Sequence, residues 1–353
     1  MQKKLIVVAL AAAAFSTTAL AETSNVSIYG TADLSYDIIS TGASAAGAAG
    51  MSKNNVSSNV SKLGFKGSEG LSDGLTAVWQ IEQQINMDNA GGASNSGTGN
   101  TLGSRNTFLG LKSDDMGTVL MGRHDTPYKL ATRKLDIFGD SIADNRSIMG
   151  FKGAFDSRPT DVLAYISPDL NGFTGAIAYV NLAEGNTTAA QAKANALSAA
   201  GMFKTGPFYA SLGYQEHNTN SLTGAKTSAW KLGASYDIDA LTLAGVYEKT
   251  KDNLGTNDHN AYYLSANYKM DMNAIKFAYG KAGQLGVTAN SGGNQISLGY
   301  DHGLSKRTKV YAIYSRISNQ RAANYGFSQT TATSINGVGA SPSVFSFGMK
   351  HSF

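Results

Sequence analysis

The side chains most able to do chemistry crowd into one segment. From Arg123 to Arg158 stand seven cations, Arg123, Lys129, Arg133, Lys134, Arg146, Lys152 and Arg158, and five carboxylates, Asp125, Asp136, Asp140, Asp144 and Asp156. Pro127 and Pro159 bracket the stretch. The whole chain is only 15% charged, against about 25% in ordinary domains, so the density is local. Covalent chemistry fits poorly. The absence of cysteine excludes a thiol nucleophile, Cys-ligated zinc and a disulfide framework. His124, His217, His259, His302 and His351 have no serine or aspartate motif beside them and no metal-binding His-x-x-Glu-His spacing. Gly97–Gly103 lacks the spacing of a phosphate loop. No catalytic residue, cofactor or metal is expected. Such a segment can instead shape an electrostatic field. On an ordinary loop its charges would simply be solvated. At a narrow place they would act on passing ions, because salt screens a charge beyond roughly 8–10 Å.

The elements that must hold this segment are strands. Val26, Ile28, Gly30, Ala32, Leu34, Tyr36 and Ile38 fall on one face, and Ser27, Tyr29, Thr31, Asp33, Ser35 and Asp37 on the other. This period of two outlasts the usual strand of about 5–6 residues and exceeds the roughly 9–11 that cross a bilayer. Trp230, Leu232, Ala234 and Tyr236 alternate with Lys231, Gly233, Ser235 and Asp237. Tyr262 to Lys269 repeats the pattern. The 353 residues include 40 Gly, 17 Tyr and 14 Phe, with a mean hydropathy of -0.18. The one apolar run, at the N-terminus, is too short for a membrane helix. A transmembrane barrel has this composition, because outward apolar and inward polar residues cancel in any average. A soluble sandwich would need shorter strands.

Lys3 and Lys4, the apolar stretch Leu5 to Phe15, and Ala19-Leu20-Ala21 form a secretory signal with its cleavage site. Residues 1–21 are therefore expected to be removed. The 353 residues less these 21 leave 332, and losing two lysines lowers the net charge from +4 to +2. That charge does not suggest a nucleic-acid partner.

Turn-forming residues cluster at 68–74, 113–117, 167–172, 205–207, 237–240, 269–273 and 302–306. Longer polar stretches run near 39–57, 87–104, 124–159, 182–197, 217–227, 252–259, 284–293 and 319–342. Seven short turns joining eight hairpins predict an all-β, sixteen-stranded antiparallel barrel over 22–353, with both termini on the short-turn side. Closure would remove the edge strands. All five prolines fall outside strand interiors, as the ladder requires. The Ala-rich stretch 188–200 is placed in or beside a loop, its composition being compatible with a brief helix.

The chain ends with Phe345, Phe347, Met349, His351 and Phe353 alternating with Ser346, Gly348, Lys350 and Ser352. A terminal aromatic strand ending in Phe resembles the signal read by the barrel-assembly machinery of the outer membrane.

Three stretches carry a family resemblance: Asn25 to Asp33; Ser61 to Glu69 followed by Gly74 to Glu82; and Arg105 to Lys112 continuing through Met116 to Pro127. They resemble the general trimeric porins of Gram-negative bacteria, of beta-proteobacterial type. The resemblance implies a water-filled homotrimeric outer-membrane channel for small hydrophilic solutes, surrounded by membrane lipid and lipopolysaccharide. It also implies that the third long loop, here 124–159, folds into the lumen and narrows it. Lys62, Arg105 and Arg123 match the wall cations that face this loop. Lys62 stands where an arginine is common, so charge is kept but the bidentate fork is not. Leu135 to Asp140 resembles the loop tip, with Asp136 and Asp140 as its acids. Lys66 shares the Lys62 face, and Arg133, Lys134 and Arg146 complete the expected constriction. The excess of base predicts weak anion preference. A substrate-specific channel and a barrel enzyme are the competing readings. Tyr29 and Tyr263 face inward by alternation, but two aromatics do not make a sugar path.

Overall fold

The computed structural model describes residues 25–88, 102–150, 155–184, 188, 192–220, 225–253, 255, 258–328 and 335–353. The expected signal segment, Lys152 and most of Gly97–Gly103 lie outside them. The strands are β1 (Asn25–Ser40), β2 (Ser52–Ser58), β3 (Lys62–Ser72), β4 (Leu75–Gln84), β5 (Thr107–Ser113), β6 (Gly117–Arg123), β7 (Val162–Ile166), β8 (Phe173–Asn181) and β9 (Asn195–Thr205). They continue as β10 (Phe208–Asn220), β11 (Ala225–Ile238), β12 (Leu241–Asp252), β13 (His259–Met270), β14 (Asn273–Ala282), β15 (Gly293–Gly303), β16 (Thr308–Asn319) and β17 (Ser343–Ser352). Apart from β2 and β3, which do not pair with each other, consecutive strands pair antiparallel.

Seventeen segments make sixteen spans, because β2 and β3 are halves of one. Both pair with β1: Ser58 lies opposite Leu34 and Lys62 opposite Thr31. Asn59, Val60 and Ser61 therefore oppose only Ala32 and Asp33, which is a β-bulge. Val60 takes a left-handed φ of 55°. The Ser61 hydroxyl accepts from the Asp33 N–H at 2.9 Å, and the Asn59 N–H donates to the Asp33 carbonyl at 2.8 Å. The extra residue reverses the parity. Asn55 and Ser57 point inward above the bulge, with Val56 outward; below it Lys62, Gly64 and Lys66 point inward. Deleting Val60 is expected to turn Lys62 and Lys66 toward lipid, at about 2–4 kcal/mol for a lysine near mid-membrane. A drop in heat-modifiable, membrane-inserted protein checks this; normal yield with unchanged ion preference would contradict it.

The predicted closure is present. β1 pairs with β17 from Thr31↔Ser352 to Ser40↔Ser343, and the Phe353 and Gly30 main chains exchange hydrogen bonds of 2.9 and 3.1 Å. All seven predicted short turns are observed. Leu212, Leu232, Leu264, Leu298, Phe345, Phe347 and Met349 lie exposed on the outer face. This apolar belt is far larger than a soluble monomer leaves open, and a closed barrel satisfies every backbone group within lipid. No described helix is long and apolar enough to cross a membrane; the crossing is made by strands.

Two expectations are corrected. The Ala-rich stretch gives no described helix: residues 195–200 open β9, with Ala196 and Ala200 buried. Alanine favours helices, yet small inward residues are needed here, because helix α1 (Pro127–Thr132) lies on this floor and the Tyr128 N–H donates to Ser198 Oγ at 2.9 Å. The 217–227 stretch is mostly strand, since β10 and β11 run past it.

The largest apolar cluster is not between two sheets. It sits between the inner wall and the connection from β6 to β7, where Leu135, Phe138, Ile142, Ile148 and Met149 are all buried.

Candidate functional site

The charge-dense segment is anchored inside the barrel. Thr126 caps α1, its hydroxyl accepting from the Lys129 N–H, and Pro127 occupies the first turn, where no N–H is needed. The chain then turns through short 3₁₀ segments at Arg133–Leu135 and Asn145–Ser147. Inward glycines provide the space. A Cβ on Gly233 would lie 2.5 Å from Leu135, and one on Gly299 2.6 Å from Phe138. Each fully buried Leu, Ile, Phe or Met contributes about 1.5–3 kcal/mol, so packing dominates the attachment.

Polar latches fix the orientation. The Tyr128 hydroxyl donates to Glu248 at 2.7 Å, and Lys231 pairs with Asp156. Tyr209 Oη donates to the Ala131 carbonyl at 2.7 Å. Asp136 Oδ1 accepts from the Tyr263 hydroxyl at 2.9 Å and the Phe138 N–H at 3.0 Å, while Oδ2 accepts from the Asn145 N–H at 2.9 Å. A second loop also enters from the mouth: Tyr325 is buried with its hydroxyl 3.2 Å from His259 Nε2, and the Ser328 N–H donates to Ser147 Oγ at 3.1 Å.

Two charged groups face each other. On the wall, Glu82 joins Arg105 Nε at 2.6 Å and Lys62 Nζ at 3.3 Å, and accepts from the Tyr29 hydroxyl at 3.0 Å. On the loop, Asp140 lies between Arg133 Nη2 at 2.7 Å and Arg146 Nη2 at 3.1 Å. Asp140 has a left-handed φ of 64°, tolerated by a short polar side chain, and its N–H donates to Asp144 Oδ2 at 2.8 Å. Arg146 Nε donates to Asp144 Oδ1 at 2.8 Å.

Burial pushes the Asp140 carboxyl up, but Arg133, Arg146 and the wall's Arg105 overcome it and hold it at about 2. Asp136 behaves oppositely: burial and the neighbouring Asp144 push it up to about 7. Burial lowers Lys129 to about 8 despite Asp125, 2.9 Å away. Burial likewise raises Asp125, yet Lys129 and Arg158 pull it well below the usual carboxylate range.

The structure thus gathers Lys62 and Arg105 around one wall acid, and Arg133, Asp140 and Arg146 on the loop. Asp136 is enclosed against Tyr263. Arg123 donates to the Arg158 carbonyl at 3.4 Å, at the neck of the loop. Lys66 Nζ lies 5.3 Å from the Tyr29 ring centre and Lys134 Nζ 3.2 Å from that of Tyr209. The sequence reading assigned no role to Glu82, Lys231, Glu248 or the second loop. The first three had a usable signal: each is a charge inside a strand, on its inward parity. The loop had none. Tyr29 and Tyr263 donate their hydroxyls to Glu82 and Asp136, and the Tyr29 ring also lies under Lys66.

A sequence profile of the family described as Gram-negative porin matches residues 8–322. Outer membrane porin protein 32 of Delftia acidovorans is 29% identical over 372 residues, covering 100% of both chains. Major outer membrane protein P.IB of Neisseria meningitidis serogroup B is 28% identical over 326 residues, 88% of this chain and 91% of that one. The solved structure of an anion-selective porin from Comamonas acidovorans superposes with a TM-score of 0.79 at 26% identity, covering 94% of this chain and 100% of that one.

Proposed function

Since the chain belongs to the Gram-negative porin family, an outer-membrane family of channels rather than enzymes, we propose that the inward loop and the wall opposite form its selectivity neck, with a weak preference for anions. One observation carries this. Among the described residues, Lys62, Arg105, Arg133 and Arg146 pair with three carboxylates, Glu82, Asp140 and Asp144. The charges are held in fixed pairs, so polar solutes meet a preset field at a narrowing, where screening is weakest. The similarity to an anion-selective porin supports the sign. Arg123, Lys66 and Lys134 extend the basic surface. The reading includes a cleaved segment 1–21, a homotrimer in lipid and lipopolysaccharide, and delivery to the assembly machinery through the strand ending at Phe353. Small hydrophilic solutes pass by diffusion. A sugar-specific path is disfavoured because both candidate aromatics are engaged through their hydroxyls.

Liposome swelling tests the diffusion reading. Rates should fall smoothly with sugar size and rise linearly with concentration; no swelling, or saturation with one sugar alone, would overturn it.

A pH dependence follows from Asp136. Against an ordinary carboxyl near about 3.9, the folded chain keeps a proton that the unfolded chain has released. This group's contribution to stability is therefore present at low pH and lost as pH rises through about 7. The same change adds a negative charge beside the neck. Anion preference should be stronger at pH 6 than at pH 8, read from reversal potentials in a KCl gradient. Lys129, held at about 8, loses charge over the same interval and adds to the effect. Asp136→Asn should shrink the difference to the part Lys129 supplies, and a difference left intact would remove Asp136 from the effect.

A further inference from the structure

A second cation-rich cavity opens at the opposite end of the lumen. It has a volume of about 630 Å³ and is lined by Lys269, Lys306, Arg307, Lys309 and Lys350 against Asp271 and Asp301. Lys269, Lys309 and Lys350 occupy inward positions on β13, β16 and β17, so the cavity faces the water of the channel and not lipid. Lys306 and Arg307 belong to the turn between β15 and β16.

Its acids are already committed or outnumbered. Asp301 Oδ2 is shared by Lys276 and Lys309, each at 2.6 Å. Lys350 lies 3.5 Å from Asp33, whose other oxygen takes the Tyr311 hydroxyl at 2.7 Å. Lys269, Lys306 and Arg307 are exposed and form no ion pair among the described residues. Elsewhere the short-turn rim is rich in acid: Asp73, Asp114, Asp115, Asp169, Asp237 and Asp239 are exposed, against Lys204 and Lys112, the latter paired with Asp114 at 3.3 Å. A multiply charged anion approaching this rim is therefore repelled around most of the ring and drawn to one place.

The geometry points to a docking site for a small polyvalent anion, carrying two or more phosphate or carboxylate groups, in the vestibule at the short-turn end. It is separate from the loop constriction. Several ammonium groups on adjoining strands suit clustered negative charge better than a single chloride, because each phosphate or carboxylate adds its own charge-assisted hydrogen bonds. The inference rests on the reading of the chain as an open channel whose short turns face the periplasm.

Tripolyphosphate and citrate, added to each side of a planar bilayer in turn, test the site. Block is expected at lower concentration from the short-turn side. In the Lys306→Gln/Arg307→Gln variant and in Lys350→Gln, the blocking concentration should rise at least tenfold while KCl conductance is kept. Block by only one of the two assigns the site to phosphate or to carboxylate. Equal block from both sides, or equal block of the variants, overturns the site while leaving the channel reading intact. If no current is seen, the channel reading itself fails. Calorimetric titration of the detergent-solubilised protein with tripolyphosphate then still decides: binding weakened tenfold by the rim variant upholds the site, and binding that is absent or unaltered overturns it.

Discussion

Replacing Lys62 and Arg105 together with glutamine is expected to change the sign of the reversal potential, converting a weakly anion-preferring channel into a cation-preferring one. Glu82 loses both its cations and keeps only the Tyr29 hydroxyl. The loop arginines cannot make up the difference, because Arg133 and Arg146 are already bonded to Asp140 and Asp144. The neck then holds two cations against three carboxylates. Arg105 is buried, and stranding a buried charge costs about 3–5 kcal/mol, so gel mobility before and after heating should accompany the recording. Lys62→Arg keeps the charge and should leave the sign unchanged. An unaltered sign in a folded double variant would remove the wall pair from the neck.

The second large effect concerns what holds the loop in the lumen. Gly233→Val and Gly299→Val place atoms where Leu135 and Phe138 now lie, less than 3 Å from the new Cβ. Overpacking costs about 1–3 kcal/mol at each site. The double variant should release the loop tip while the Tyr128–Glu248 latch keeps its base. Unit conductance should rise well above wild type, ion preference should weaken, and larger sugars should enter liposomes. A stable double variant with unchanged conductance would mean that these contacts do not set the width. A variant that fails to insert can be replaced by Phe138→Ala, which removes the same contact without adding bulk.

The strands were legible because a barrel in lipid imposes one rule on every residue, apolar outward and polar inward. Leu232 and Leu264 obey it as plainly as Lys231 and Ser265. The turns were legible for a similar reason, since backbone geometry restricts their residue types. Three features were not. The bulge at Val60 leaves no compositional mark, although it aims Lys62 into the lumen. The alanines of β9 look helical in isolation; the ladders with β8 and β10 make them strand, and α1 lying on them favours small side chains. The pairing within the constriction is tertiary: nothing local says that Glu82 meets Arg105, or that Asp136 turns toward Tyr263. The loop tip could be located in the sequence, but the partner of each charge could not.

Single-channel recording of the wild-type protein across a KCl gradient tests the central reading most directly. Stepwise currents closing in three equal levels, with a reversal potential of the sign given by excess chloride flow, are the predicted result. Folded, inserted protein that carries no current, or a channel that clearly prefers potassium, would contradict it.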